Sequence, residues 1–278
     1  MNNFLILANT DKDLNLSLSN KISEYLIQKG AKATIVSDVS EHYEDLRVKA
    51  ELMNGVQAAI VLGGDGTMLR AAHSIGTYDI PYIGINLGTL GFLTEIEESN
   101  VYQALDRLLK DDFVIEKRMM IEGSVNDKVF HSLNDVVITR AGFSRIIGLK
   151  VYVNNQLLDT YEADGVIVAT PTGSTGYNMS AGGPIVSPKA SAIVVTPISP
   201  HSLTSKSVVF DSSEEIRVEI MKKRKTQDTE AIVSFDGGNN IELSAGDIVN
   251  VKLSSRSISL IKMYDVNFYS VLRDKIGG

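Results

Sequence analysis

The stretch IVLGGDGTML, Ile60 to Leu69, sets one carboxylate, Asp65, among Gly63, Gly64 and Gly66 directly behind an apolar run. Ala58 to Leu62 reads as a buried strand, and Met68, Leu69, Ala71 and Ala72 suit a helix that starts at about Thr67. The carboxyl end of a strand in an open α/β sheet is where ligands bind, and the N-terminus of a following helix attracts anions. Glycines at such a turn let main-chain amides approach a ligand closely. Gly63, Gly64, Gly66 and Thr67 are therefore read as a place where a phosphate can rest. The turn is neither a Walker loop, which ends in Gly-Lys-Ser/Thr, nor the G-x-G-x-x-G dinucleotide fingerprint. A carboxylate at the same mouth repels phosphate unless it has a proton to accept or a cation to hold. Three roles stay open for Asp65: general base towards an attacking hydroxyl, contact to Mg²⁺, or a plain helix cap.

Outward from this turn, strands and helices alternate. Phe4 to Ala8 reads as a strand, and Leu18, Ile22, Tyr25 and Leu26 follow at helical spacing up to a stop at Gly30. Further strands are read at Ala33 to Val36 and Pro81 to Ile85, and a helix from about Val101 to Leu109. This alternation predicts a mostly parallel, helix-covered sheet, a Rossmann-like α/β domain over residues 1–113. Beyond Phe113 short β-branched runs succeed one another, among them Val136 to Thr139, Gly165 to Ala169, Ile193 to Thr196 and Ile216 to Ile220. A β-rich domain over residues 114–263 follows, with VNNQLL, Val153 to Leu158, as a tight hairpin. The closing stretch 264–278 can return to the first domain as a short helix.

Composition excludes several classes. Hydrophobic residues at 44% and charged residues at 22% describe a globular chain with material for a large core. A formal net charge of −7 gives no reason to expect nucleic acid or a membrane as partner, and the basic run Lys222 to Lys225 is read as a solvated hairpin loop. Zero cysteines remove disulfides and thiol chemistry, and no basic leader or membrane-length apolar run occurs. A cytoplasmic protein is expected. His42, His73, His131 and His201 have no metal-ligand spacing, and no protein metal site is expected.

Three further segments carry polar or aromatic residues at strand ends. GINLGTLGFLTE, Gly84 to Glu95, brings Phe92 on a glycine loop, either to cover a flat base or to join the core. SLNDVVI, Ser132 to Ile138, presents Asn134 and Asp135, a pair suited to a ribose or adenine edge and equally a turn signal. ADGVIVATPTGSTGYNMSAGGP, Ala163 to Pro184, leads from a strand into a loop with Thr170, Thr172, Ser174, Thr175 and Tyr177 among glycines, a set suited to phosphate and ribose oxygens or to a sandwich loop.

Taken in order, GGDGT, NLGTLGFLTE, LND and ADG…TPTGSTGY…GGP resemble the NAD kinase family, over about Ala58 to Gly237. The resemblance implies transfer of a phosphoryl group from ATP, in some members polyphosphate, to the adenosine ribose of NAD. It implies a Rossmann-like N-terminal domain, a C-terminal β-sandwich, Mg²⁺ dependence and a homo-oligomer, often a tetramer. Asp65 inherits the role of base for the 2′-hydroxyl. Gly66, Phe92, Asn134, Asp135, Asp164, Thr175, Gly176, Tyr177 and Ser180 are placed around NAD, with Arg145 and Glu162 near the site. The chain departs from common members at Asp135, often Glu, at Gly176, usually Ala, at Glu162, basic in some relatives, and at Gly238, which stands near where several bacterial members have Gln. Two rival readings are a lipid kinase, since those enzymes share GGDGT, and a catalytically silent NAD sensor. The later motifs favour NAD over lipid, and the retained Asp65 favours a kinase over a sensor.

Overall fold

The computed structural model describes residues 1–37, 50–89, 91–142, 146–202, 204–222, 231–263 and 268–276. The chain divides into two compact units, Met1–Lys117 with Ile258–Gly278, and Arg118–Ser257.

The first unit holds strands β1 (Asn3–Ala8), β2 (Lys32–Ser37), β3 (Ala58–Gly63), β4 (Tyr82–Asn86) and β5 (Ile96–Glu97), with helices α1 (Ser17–Gln28), α2 (Asp65–Ile75) and α3 (Val101–Leu109). The strands run parallel in the order β4-β3-β1-β2, with β5 beside β4. All six residues of β3 are buried, which is why its sequence is apolar throughout and not alternating. Each large aliphatic side chain so buried contributes about 1.5–3 kcal/mol. Leu18, Ile22 and Leu26 recur on one face of α1 and join Phe4, Ile6, Ile60 and Leu62 in one core, with Val101, Leu105 and Leu108 of α3. Asp13 sets the start of α1, its carboxylate accepting the amides of Leu18 and Ser19. Past the helix, Gly30 takes φ +85° and ends it.

The second unit is built from antiparallel strands β6 (Val114–Val125, whose first residues precede the unit), β7 (Lys128–Ser132), β8 (Asp135–Arg140), β9 (Ile147–Val153), β10 (Gln156–Ala163), β11 (Gly165–Ala169), β12 (Ala192–Ile198), β13 (Val208–Asp211), β14 (Ile216–Ile220), β15 (Ala231–Phe235), β16 (Gly238–Leu243) and β17 (Ile248–Lys262). One sheet runs β10-β9-β14-β17, with β6 joined to β17 and to β7, and the other runs β13-β12-β11-β8-β15-β16. Alternate residues of both sheets, such as Val136, Val166, Val168 and Val195 on one side and Leu149, Val151, Val218 and Val251 on the other, make a shared core. β11 is buried on both faces, because Ile167 and Ala169 pack with Val137, Val194 and Ile198 beneath Ala181 and Val186. A one-turn helix, α4 (Tyr177–Ser180), lies in the segment that supplies this cover.

The hairpin expected at VNNQLL forms between β9 and β10, with Asn154 and Asn155 both at positive φ. The last residues of β17 belong to the first unit, where Leu260 pairs with Tyr82 of β4. Helix α5 (Phe268–Ile276) closes the chain and packs in the first unit. His42 and the basic residues Lys223 to Lys225 lie outside the described residues. No helix among the described residues is long and apolar enough to cross a membrane.

Candidate active site

β3 ends at Gly63, and α2 begins two residues later. Gly64 is extended at φ −127° and its carbonyl accepts the amides of Thr67 and Met68 at 2.9 and 3.1 Å, so the helix starts without a side-chain cap. A β-carbon on Gly63 would lie 2.2 Å from the Thr67 hydroxyl oxygen, so only glycine fits beside that hydroxyl. The hydroxyl in turn accepts from Asn9 Nδ2 at 3.2 Å and from Arg70 at 3.3 Å.

Asp65 does not cap its own helix. Its Oδ2 accepts the amide of Phe92 at 2.8 Å and its Oδ1 that of Leu93 at 3.0 Å, more than twenty residues along the chain. The carboxylate ties the GGDG turn to the second glycine loop, which explains Gly91: a β-carbon there would fall 1.9 Å from Oδ1. A carboxylate has about four lone-pair sites, and the two amides occupy half of them. Asp65 is half-buried, and its remaining lone pairs are free to accept from a hydroxyl. Phe92, which the glycine loop carries, rests against Phe268 of α5 at a ring separation of 5.8 Å, with the Lys275 ammonium 4.9 Å from its centre.

In the second unit, Asn134 and Asp135 stand at the entry to β8. Asp236 holds this entry open to side-chain use, its carboxylate accepting the amides of Leu133, Asn134 and Asp135 at 2.7, 2.7 and 3.0 Å. Burial, reinforced by the Asp236 charge, pushes the Asp135 carboxyl up to about 7. Gly176 faces the same pair: a β-carbon on it would sit 3.6 Å from Asn134 Nδ2 and 3.9 Å from Asp135 Oδ2. Asn134 Oδ1 is buried without a partner, an acceptor left for an N–H such as an adenine amino group.

The hydroxyl loop combines inward-bonded and outward side chains. Thr170 donates to Leu133 O at 2.6 Å, Ser174 to Pro171 O at 2.6 Å, and Ser174 also accepts the Val186 amide at 3.0 Å. Thr172 takes the Arg118 guanidinium at 3.3 Å. These three side chains are buried and brace the loop, whereas Thr175 and Gly176 are half-buried and Tyr177 and Ser180 are exposed. Asn178, fully buried, donates to Ser174 O and Pro184 O and accepts from Thr196.

Asp164 pairs with Arg140 at 2.7 Å, and both line a cavity of about 310 Å³ with Thr139, Gly142, Tyr177 and Ile198. Glu162 is exposed on β10, and Arg145 lies outside the described residues. Sequence reading missed Asp236, Asn178 and Arg140. Of these only Asp236 carried a signal, the FDGG turn after a strand run, because what the others touch is set by distant residues. Among the described residues no group of three or more His, Asp or Glu side chains is placed to hold a metal ion.

A parallel sheet with a glycine turn and a placed carboxylate, joined in one chain to a β unit with an adenine-suited amide and carboxylate pair, defines a nucleotide-dependent phosphotransferase. The chain matches the ATP-NAD kinase N-terminal domain over residues 4–113 and the ATP-NAD kinase C-terminal domain over residues 133–263, and it belongs to the NAD kinase family. It is 43% identical to the NAD kinase of Lachnoclostridium phytofermentans over 286 aligned positions, covering 100% of this chain and 99% of the relative. It is 44% identical to that of Agathobacter rectalis, with 100% and 99% covered. Among solved structures, an NAD kinase from Archaeoglobus fulgidus in complex with ATP superposes with a TM-score of 0.80 at 25% identity, covering 98% of each chain. Yeast NADH kinase complexed with NADH shares the fold at a TM-score of 0.87 and 24% identity, with 100% and 88% covered.

Proposed function

We infer that the protein phosphorylates the 2′-hydroxyl of the adenosine ribose of NAD with ATP, giving NADP and ADP, and that Asp65 is the general base. The observation that carries the base assignment is the carboxylate itself, held at the carboxyl end of β3 by two amides with lone pairs to spare. In this reading Asn134 and Asp135, with Gly176, receive the adenosine, Thr175, Tyr177, Ser180 and Asp164 complete the dinucleotide site, and Arg145 and Glu162 stand near it. Gly63, Gly64, Gly66 and Thr67 bear the donor phosphates, and Phe92 covers the nucleotide from its glycine loop.

Asp65 accepts the 2′-hydroxyl proton as the oxygen bonds to the γ-phosphorus of ATP and the bond from that phosphorus to the β,γ-bridging oxygen breaks, releasing ADP. A divalent cation, Mg²⁺, arrives with ATP as part of the substrate. Positioning and charge neutralisation supply most of the acceleration, since phosphoryl transfer needs little covalent help from the protein. Polyphosphate is a candidate second donor. A homotetramer in the cytoplasm is the assembly and location we assign, the first on the family resemblance and the second on that together with a chain free of cysteine.

The test is NADP formation from NAD, ATP and Mg²⁺, read by an NADP-specific dehydrogenase. Asp65→Asn is expected to lower turnover by about 10³-fold or more while NAD binding stays within about tenfold. Near wild-type turnover in that variant would dismiss Asp65 as the base.

A further inference from the structure

Beside the glycine turn lies a cation that the family motifs do not include. β1 ends at Ala8, and the chain then folds into a tight turn: Asn9 N donates to Leu62 O, Asn9 Oδ1 accepts the Asp11 amide, and Asn9 O accepts the amides of Lys12 and Asp13. The Asn9 side-chain amide is tied to Thr67 of α2. This turn delivers the Lys12 ammonium to the two glycine loops at once. A β-carbon on Gly64 would lie 3.1 Å from Lys12 Nζ, and one on Gly88 would lie 4.0 Å from it.

The placement is electrostatically unfavourable for the ligand-free protein. Gly64 is the N-cap of α2, and a cation there opposes the helix dipole. No ion pair of Lys12 is found among the described residues. Asp65 is engaged by the amides of residues 92 and 93, and Asp13 by those of residues 18 and 19. A second cation, Arg70, flanks the same turn, its guanidinium 4.0 Å from where a Gly66 β-carbon would be. Asn86, 5% exposed at the end of β4, donates to Gly88 O and leaves Oδ1 buried and unpaired, an acceptor suited to water carried on a substrate's metal ion. Excess positive charge, bare amides and an orphan acceptor together describe a place for a metal-bound polyanion.

We propose that Lys12 grips the terminal phosphates of the phosphoryl donor and neutralises the charge that develops on the transferring group. The proposal deepens the kinase reading above and rests on it. Lys12 would also explain how a carboxylate and a triphosphate share one turn: the ammonium offsets the repulsion between Asp65 and the donor.

The experiment compares Lys12→Gln and Lys12→Arg with the wild type, first under saturating NAD with varied Mg-ATP and then under saturating Mg-ATP with varied NAD. Lys12→Gln is expected to raise KM for ATP about tenfold or more and to lower kcat, with KM for NAD within about twofold, and Lys12→Arg to recover part of the loss. Because Lys12 opposes the α2 dipole, ligand-free Lys12→Gln should unfold at the wild-type temperature or above. A lysine that merely supports the turn would give the opposite shift. If the wild type forms NADP and Lys12→Gln matches it in KM for ATP and in kcat, the proposal is overturned while the kinase reading stands. If the wild type forms no NADP, the kinase reading fails, and protection against thermal unfolding by Mg-tripolyphosphate decides the role of Lys12. Protection lost in Lys12→Gln supports it, and equal protection refutes it.

Discussion

The glycine turn of the first unit and the hydroxyl loop of the second shape their exposed main chain by opposite means. At the glycine turn side chains are removed, and one carboxylate, Asp65, fastens two bare loops across the sheet end. At the hydroxyl loop side chains are abundant, and Thr170, Thr172 and Ser174 turn inward to brace the chain that carries Thr175, Gly176 and Tyr177. A small polar residue in a loop is therefore as apt to satisfy the loop's own backbone as to meet a ligand, since buried amides and carbonyls require partners. The two carboxylates show the same contrast. Asp65 is held by amides at a half-open position, whereas Asp135 is buried beside Asp236 and its ionisation is opposed.

The largest expected break in this comparison, after loss of the proposed base Asp65, is Gly91→Ala. The added carbon would overlap the Asp65 carboxylate, and a displacement of about 1 Å in a catalytic group costs on the order of 10²-fold in kcat. Steady-state kinetics on a folded variant would show it, and unchanged kcat would mean that Asp65 tolerates release from its clamp.

Next in size is the pH response of Asp135. Its folded carboxyl is raised to about 7 from the ordinary 3.8, so the neutral acid is favoured by folding. That contribution is fully present below about pH 4 and is lost as pH rises through about 7. Asp135→Asn should therefore match the wild type in stability near pH 4 and exceed it by a few kcal/mol at pH 8. Denaturant unfolding at the two pH values checks the sign, and a larger advantage for Asn at pH 4 would contradict it.

Ser174→Ala sharpens the contrast from the side of the hydroxyl loop. Removing a buried hydroxyl that bridges Pro171 O and the Val186 amide should destabilise the protein by about 1–2 kcal/mol, with kcat little changed. The smallest effect is expected at Gly176→Ala. The new methyl would meet Asn134 and Asp135 at ordinary contact distance and Gly173 O at 3.3 Å, so stability should change by about 0.5–1 kcal/mol and KM for NAD by less than about threefold. Equal losses of stability at Ser174 and Gly176 would erase the distinction between bracing and presenting residues.

Much of the fold was legible because apolar period and length agree with the elements formed. The readings at Val101 to Leu109, Gly165 to Ala169 and Ile216 to Ile220 coincide with α3, β11 and β14. The hairpin of β6 and β7 was not read. VIEKRMMIEGSV mixes charge with apolar residues, and Val114 and Ile115 at its start are exposed, so its pairing with β7 and β17 makes it a strand where its own pattern does not. The helix-cap alternative for Asp65 was reasonable from local sequence, since Asp often caps. It gave way to a contact with Phe92 and Leu93 that no local rule contains.

By itself the sequence determined the order of motifs, the apolar runs that become β1, β3 and β4, and the glycines that leave the turn at residues 63–66 bare, because these depend on residue type and short-range spacing. Only the tertiary structure decided where the polar atoms point. Asp65 reaches residues 92 and 93, Asp236 reaches residues 133–135, and Lys12 comes to rest over Gly64, because each of these contacts exists only once strands distant in the chain are brought side by side.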